Sequence, residues 1–256
     1  MTKWHKWQCV RQRAGPLVKE CRYWLPRFDR EDTPQEHRDK AFVKARVRTA
    51  VSKSQADRLE LRLAALGWES SMHTLTFDDD HLPRNFAVVR RTLKAFFQRS
   101  QRWRAGLGKS PAYPYIYSIE GLHTRYHIHF CCRDGDLSPP EVQHLWQCGI
   151  VDNEPVLMAR GGFRRLAEYL NKERADGIAI PVGRHPWSSS RSLNALVQPA
   201  ERWAEESGEI VIPKSAIWQS TGDAGNQFGR YYYASWIEAD GSRACRKVRY
   251  RIDHGG

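Results

Sequence analysis

Residues 120–132, Glu-Gly-Leu-His-Thr-Arg-Tyr-His-Ile-His-Phe-Cys-Cys, constrain this chain more than any other stretch. Read as a β-strand, Arg125, His127, His129 and Cys131 project to one face, and Tyr126, Ile128 and Phe130 to the other. The second face is apolar and can pack on a core. The first carries two imidazoles about 7 Å apart along the strand, near enough for each to turn one nitrogen onto a single metal ion. Glu120 ends the preceding apolar run and can supply a carboxylate oxygen beside them. Two His and one carboxylate leave coordination positions open for water or a phosphate oxygen, which a catalytic metal needs and a closed structural site lacks. The competing reading of a bare His-x-His is two half-exposed strand histidines with no metal.

The flanking pattern supports a sheet around this strand. Met72–Phe77 is a short β-rich run ended by Asp78-Asp79-Asp80 and reads as a strand. Residues 84–104 read as an amphipathic helix, with Phe86, Val89, Leu93, Phe96 and Phe97 as its apolar stripe. Arg90, Arg91, Lys94 and Arg99 fill much of the rest, and Gly106 and Gly108 end the helix. Tyr113–Glu120 and Arg125–Cys132 form two more strands. The short gap between them favours a hairpin, which brings Glu120 next to the His strand. Pro139-Pro140-Glu141 starts a helix through Trp146, with Gly149 as its stop. In 161–172, Phe163, Leu166, Ala167 and Leu170 fall at helical spacing and form a buried stripe. Arg165, Tyr169 and Lys172 lie together on a flank of that helix, placed to meet an anion. A boundary tyrosine with solvated basic neighbours is the plainer alternative.

The remainder organises around this centre. Residues 1–35, rich in Trp, Arg and Pro, lack clear periodicity and read as a partly ordered arm; 36–66 read as a helix closed by Gly67. Its Lys40, Lys44, Arg46, Arg48 and Lys53 suit either a phosphate backbone or solvent. Beyond Gly177, Ile178–Val182 reads as a strand, 195–208 as polar and helix-prone, and 209–218 as a strand. Phe228–Ile237 and Arg243–Ile252 flank Asp240-Gly241, a hairpin signal. Tyr231-Tyr232-Tyr233 can stack on bases or pack across strands. The expected organisation is a basic N-terminal arm and helix over 1–69, a central domain over 70–195 and a β-rich extension over 196–256. The expected fold is α+β: a central antiparallel sheet of about five strands, helices on one face, and the His strand near its centre.

Charge indicates the partner. With 41 Lys+Arg against 29 Asp+Glu the formal net charge is +12, which favours a polyanion, and nucleic acid is the usual one. No stretch approaches the ~20 apolar residues of a membrane span. The N-terminal residues lack the apolar core of a signal peptide, so a cytoplasmic protein is expected. The six cysteines show no Cys-x-x-Cys pair and read as free thiols, with a zinc site from His5, Cys9 and Cys21 as the alternative.

Taken in order, these motifs resemble the HUH endonucleases that initiate rolling-circle replication of single-stranded DNA phages and plasmids. Thr74–Phe77 looks like the first family motif, His127-Ile-His129 the second and Tyr169-Leu-Asn-Lys172 the third. Trp146–Gly149 and Ser189–Leu193 resemble segments near the third motif. The resemblance covers roughly 70–195, which it marks as a nicking domain. Glu173 stands where two-nucleophile members carry a second tyrosine, so the chain resembles the single-tyrosine kind.

The resemblance implies Mg²⁺ or Mn²⁺ held by Glu120, His127 and His129 against the scissile phosphate. It implies Tyr169 as the nucleophile forming a 5′-phosphotyrosine, with Lys172 stabilising the developing charge. A tyrosyl ester conserves the bond energy, so rejoining needs no nucleotide cofactor. The implied partner is single-stranded DNA at a replication origin in a bacterial host cytoplasm, with a host helicase or polymerase. Arg90, Arg91, Lys94, Arg125 and Arg165 are the DNA-binding candidates. A single-tyrosine transposase or relaxase, and a non-catalytic nucleic-acid-binding protein, remain as alternatives.

Overall fold

The structure, a computed structural model, describes residues 6–24, 54–67, 69–121, 125–156, 163–171, 187–226 and 229–238. In chain order these residues form β1 (Trp7–Ala14), β2 (Leu17–Trp24), helix α1 (54–66), β3 (Ser70–Thr76) and α2 (Phe86–Gly106). There follow β4 (Tyr115–Glu120), β5 (His127–Arg133), α3 (Pro139–Trp146), β6 (Val151–Pro155) and α4 (Arg164–Tyr169). The series ends with β7 (Trp187–Ser189), α5 (Arg191–Asn194), β8 (Glu201–Glu205), β9 (Ala216–Asn226) and β10 (Gly229–Glu238). The fold is α+β with two five-stranded antiparallel sheets. No helix among the described residues is long and apolar enough to cross a membrane.

The chain divides into two compact units. The larger comprises Arg13–Gly15 and Phe28–Pro199, and its sheet runs β6-β3-β5-β4-β7. The His strand β5 is central, as expected. Alternation sends Ile128, Phe130 and Cys132 to one face, where they meet Val89, Leu93 and Phe96 of α2 and Val142, Leu145 and Trp146 of α3 in the main core. Asn85 caps α2 by accepting from the Val88 amide, 3.1 Å. Trp146 donates through Nε1 to the Thr76 carbonyl at 2.7 Å, and Arg99 donates to the carbonyls of Leu145 and Trp146, which fastens α3 to the sheet and to α2. Gln147, in the left-handed region at φ 59°, terminates α3 before Gly149 is reached. The β4–β5 turn depends on Gly121: at φ +76° a Cβ there would lie 2.0 Å from the Arg125 carbonyl oxygen.

Helices on one face alone were expected, and here the structure differs. Only α2 and α3 contribute to the core against Ile128 and Phe130. On the opposite face α4 reaches His129 through Tyr169, and α1 reaches β7 through Arg62, whose Nε donates to Ser189 Oγ at 3.2 Å. An amphipathic pattern shows which stripe a helix buries, not which side of a sheet it takes.

The second unit comprises Met1–Gln12, Pro16–Arg27 and Ala200–Gly256, with strand order β8-β1-β2-β10-β9. The expected N-terminal arm is therefore a β-hairpin over Trp7–Trp24, joined to strands nearly two hundred residues later. Its charged residues are consumed inside the sheet. Buried Glu20 accepts from Arg11 at 2.6 Å and Arg22 at 2.8 Å, and Arg22 also binds Glu205. Helix-prone residues 195–208 supply β8, an edge strand, because pairing with β1 overrides local propensity. The strand expected over 209–218 begins only at Ala216; Ile210 and Ile212 instead pack irregular chain on Val18, Ala234 and Trp236. Tyr231 and Tyr233 pack against each other along β10, ring centroids 5.8 Å apart. Ile178–Val182 and the Asp240-Gly241 hairpin lie outside the described residues.

Candidate metal centre and tyrosine

The hairpin register sets the site. Glu120 on β4 stands directly opposite His127 on β5, and Ser118 and Thr74 flank His129 from β4 and β3. Glu120 Oε2 lies 3.4 Å from Nε2 of both histidines. The three side chains offer ligand atoms all within 4.8 Å of one another, the one group of this kind among the described residues. Glu120 and His129 are each 3% exposed, while His127 is half-buried, so the group opens to solvent on one side.

Hydrogen bonds at the other ring nitrogens aim the imidazoles. His127 Nδ1 lies 3.2 Å from the Arg125 carbonyl oxygen, which only accepts; Nδ1 therefore carries the proton and Nε2 presents its lone pair. His129 Nδ1 lies 3.1 Å from Thr74 Oγ1, a bond that can hold the same tautomer. The donor set fits a divalent cation: one carboxylate and two neutral imidazoles on one side, solvent on the other. Cys131, next along the same face, is no thiolate ligand, since burial pushes its pKa up to about 12. The expected zinc site is not formed by the described cysteines: Cys9 and Cys21 are free, Cys21 Sγ lying 3.1 Å from the Tyr231 hydroxyl. His5 lies outside the described residues.

Tyr169 stands at the C-terminal end of α4, 41% exposed, with its hydroxyl 3.4 Å from His129 Nε2. Its ring meets the His129 ring at 5.3 Å and 66°. Phe163, Ala167 and Leu170 bury α4 as the sequence predicts, with Leu166 half-buried. Arg164 ties this short helix down, donating to Asp57 of α1 at 2.5 Å and to Glu168 at 2.6 Å. Lys172 lies outside the described residues.

The cation candidates separate. Arg165 is exposed on α4, one turn before Tyr169. Arg125 spends its guanidinium on the Phe77 carbonyl, 2.6 Å, and Asp79, 2.9 Å. Arg90, Arg91 and Lys94 are exposed on α2, across the sheet from the metal group. The structure therefore does not bring them together with His127 and His129. Sequence reading missed Arg164 and Asp57, whose pairing joins two helices more than a hundred residues apart. Thr74 sat in a recognised motif, yet its link to His129 becomes visible only from the strand register.

A family model of replication-associated proteins, of the ORF2 class, matches residues 70–174. That span holds β3 through α4, hence every member of the metal group and Tyr169. No curated protein and no solved structure gives a match. The chain is thus similar to replication-associated proteins over the part that builds the site.

Proposed function

We propose that this protein is a metal-dependent, site-specific endonuclease and ligase of single-stranded DNA that initiates rolling-circle replication through a 5′-phosphotyrosine. The observation that carries the reading is the Tyr169 hydroxyl, 3.4 Å from a ring nitrogen of the Glu120–His127–His129 group. A metal hydrolase using water would have no use for a tyrosine there. The family match over 70–174 supports a role in replication.

Glu120, His127 and His129 would hold Mg²⁺ or Mn²⁺, which when bound neutralises the scissile phosphate and polarises its P–O bond. Tyr169 then attacks phosphorus. Its phenol proton is lost, the Tyr O–P bond forms and the 3′ oxygen departs with the bonding pair to become a free 3′-OH. Arg164 holds α4 so that the phenol stays over the group, and Lys172 would stabilise the developing charge. Arg165 would hold the strand on this face, and the cations of α2 would hold flanking nucleic acid. The released 3′-OH is the kind of end a polymerase extends.

The test is incubation of labelled single-stranded origin DNA with wild type and Tyr169→Phe, with Mn²⁺ or EDTA, resolved on a denaturing protein gel. A covalent adduct is expected only in wild type with metal. Metal-dependent strand breakage with no adduct would replace this reading with a simple hydrolase.

A further inference from the structure

One pair of cations on the face of the metal group has no acidic counterpart. Arg58 and Arg62 lie one turn apart on α1. The Arg62 guanidinium covers the Trp187 ring at 5.1 Å from its centroid. Its Nε donates to Asn194 Oδ1 at 2.8 Å and Ser189 Oγ at 3.2 Å, and Nη1 to the Arg58 carbonyl at 3.0 Å. Among the described residues no carboxylate pairs with either arginine. Burial pushes the Arg62 pKa down and the Arg58 charge adds to it, so the fold holds a partly desolvated cation beside a like charge. That arrangement costs stability unless an anion answers it.

A second observation points to the same place. Trp187 is 9% exposed and Ser118 1% exposed, and neither Trp187 Nε1 nor Ser118 Oγ has a hydrogen-bond partner. Buried polar groups are seldom left unpaired, and a ligand or bound water is a usual reason. The two residues face each other across β4 and β7, and with Thr74 and His129 they form one row across the sheet. Two strand spacings separate Trp187 from His129, about 10 Å, within reach of a single extended DNA strand whose scissile phosphate sits at the metal group.

We propose that Arg58 and Arg62, seated on Trp187, form a second phosphate subsite that grips a neighbouring backbone phosphate of the same single strand. Arg62 supplies the fork and Arg58 the added charge. The subsite rests on the nuclease reading only for the identity of its polyanion. It gives α1, rather than α2, the task of fixing the strand relative to Tyr169.

The experiment measures binding of a fluorescein-labelled oligothymidylate to the full chain in EDTA across a salt series. Arg62→Gln should loosen Kd about tenfold and lower the slope of log Kd against log salt by about 0.7. Arg58→Gln, an exposed change that leaves packing alone, should lower the slope by a similar amount. Arg62→Lys should restore the slope while recovering only part of the affinity, because an ammonium lacks the guanidinium fork. Arg102→Gln, an exposed charge loss on α2, should leave both within experimental error. Wild-type Kd and slope in folded Arg62→Gln and Arg58→Gln would overturn the subsite. A binding loss in these variants with no covalent adduct in wild type would retire the nuclease reading alone, because the binding assay needs neither metal nor cleavage.

Discussion

Replacing Thr74 by valine removes one hydroxyl and little volume, so its effect isolates a single hydrogen bond. That bond joins Thr74 Oγ1 to His129 Nδ1 at 3.1 Å, between residues paired on adjacent strands, and His129 is 3% exposed. In the valine variant Nδ1 faces a methyl group and water does not readily reach it. Leaving a buried polar group unsatisfied costs about 1–3 kcal/mol. The ring can escape that cost by turning or by moving its proton to Nε2, and either change removes the lone pair the metal requires. Loss of such an outer partner typically weakens metal binding about 10–100-fold. Titration of Mn²⁺ by electron paramagnetic resonance should therefore give Thr74→Val a Kd weaker by that factor. Thr74→Ser, which keeps the hydroxyl, should bind close to wild type. A folded Thr74→Val with wild-type Mn²⁺ affinity would refute the argument that Thr74 aims His129.

Two further outcomes follow from the geometry. His73 is fully buried, and burial holds its pKa down at about 4 against an ordinary value of 6.5. Between those values the unfolded chain binds the proton and the folded chain does not, so stability should fall as pH drops from 6.5 to 4, by up to about 3 kcal/mol. Thermal melts of wild type and His73→Gln should show a flatter acid limb in the variant, and parallel limbs would contradict the assignment. Arg164→Ala cuts the tie between α4 and Asp57 of α1, and a displacement of Tyr169 near 1 Å should slow adduct formation about 100-fold. Mn²⁺ affinity should stay at the wild-type value, because Glu120, His127 and His129 sit on strands; an equal loss of metal binding would show that α4 props the sheet instead.

How much of this was legible in the sequence depended on the range of the interaction. Glu120, His127 and His129 could be placed together because a short loop and a period-two strand determine both register and face. Tyr169 could be placed off the buried stripe of its helix, since Phe163, Ala167 and Leu170 defined that stripe. The side of the sheet each helix takes is a tertiary choice, so Arg90, Arg91 and Lys94 were assigned beside a metal group that lies across the sheet from them. The hairpin over Trp7–Trp24 was hidden because Glu20, Arg11 and Arg22 read as solvated charges, whereas they satisfy one another within the sheet. Its partners, β8 and β10, lie far along the chain and leave no local trace. Arg62 looked like one more basic residue on a helix until Trp187 and Ser118 gave it a setting.

The most direct test of the central claim is to locate the adduct. Wild-type protein is incubated with Mn²⁺ and single-stranded origin DNA, the DNA is digested to a stub, and the peptides are sequenced by mass spectrometry. The account predicts a phosphonucleotide on the tyrosine of the peptide containing Leu166–Asn171, lost when Tyr169 is phenylalanine. A stub on a different tyrosine, with Tyr169 unmodified, would contradict it.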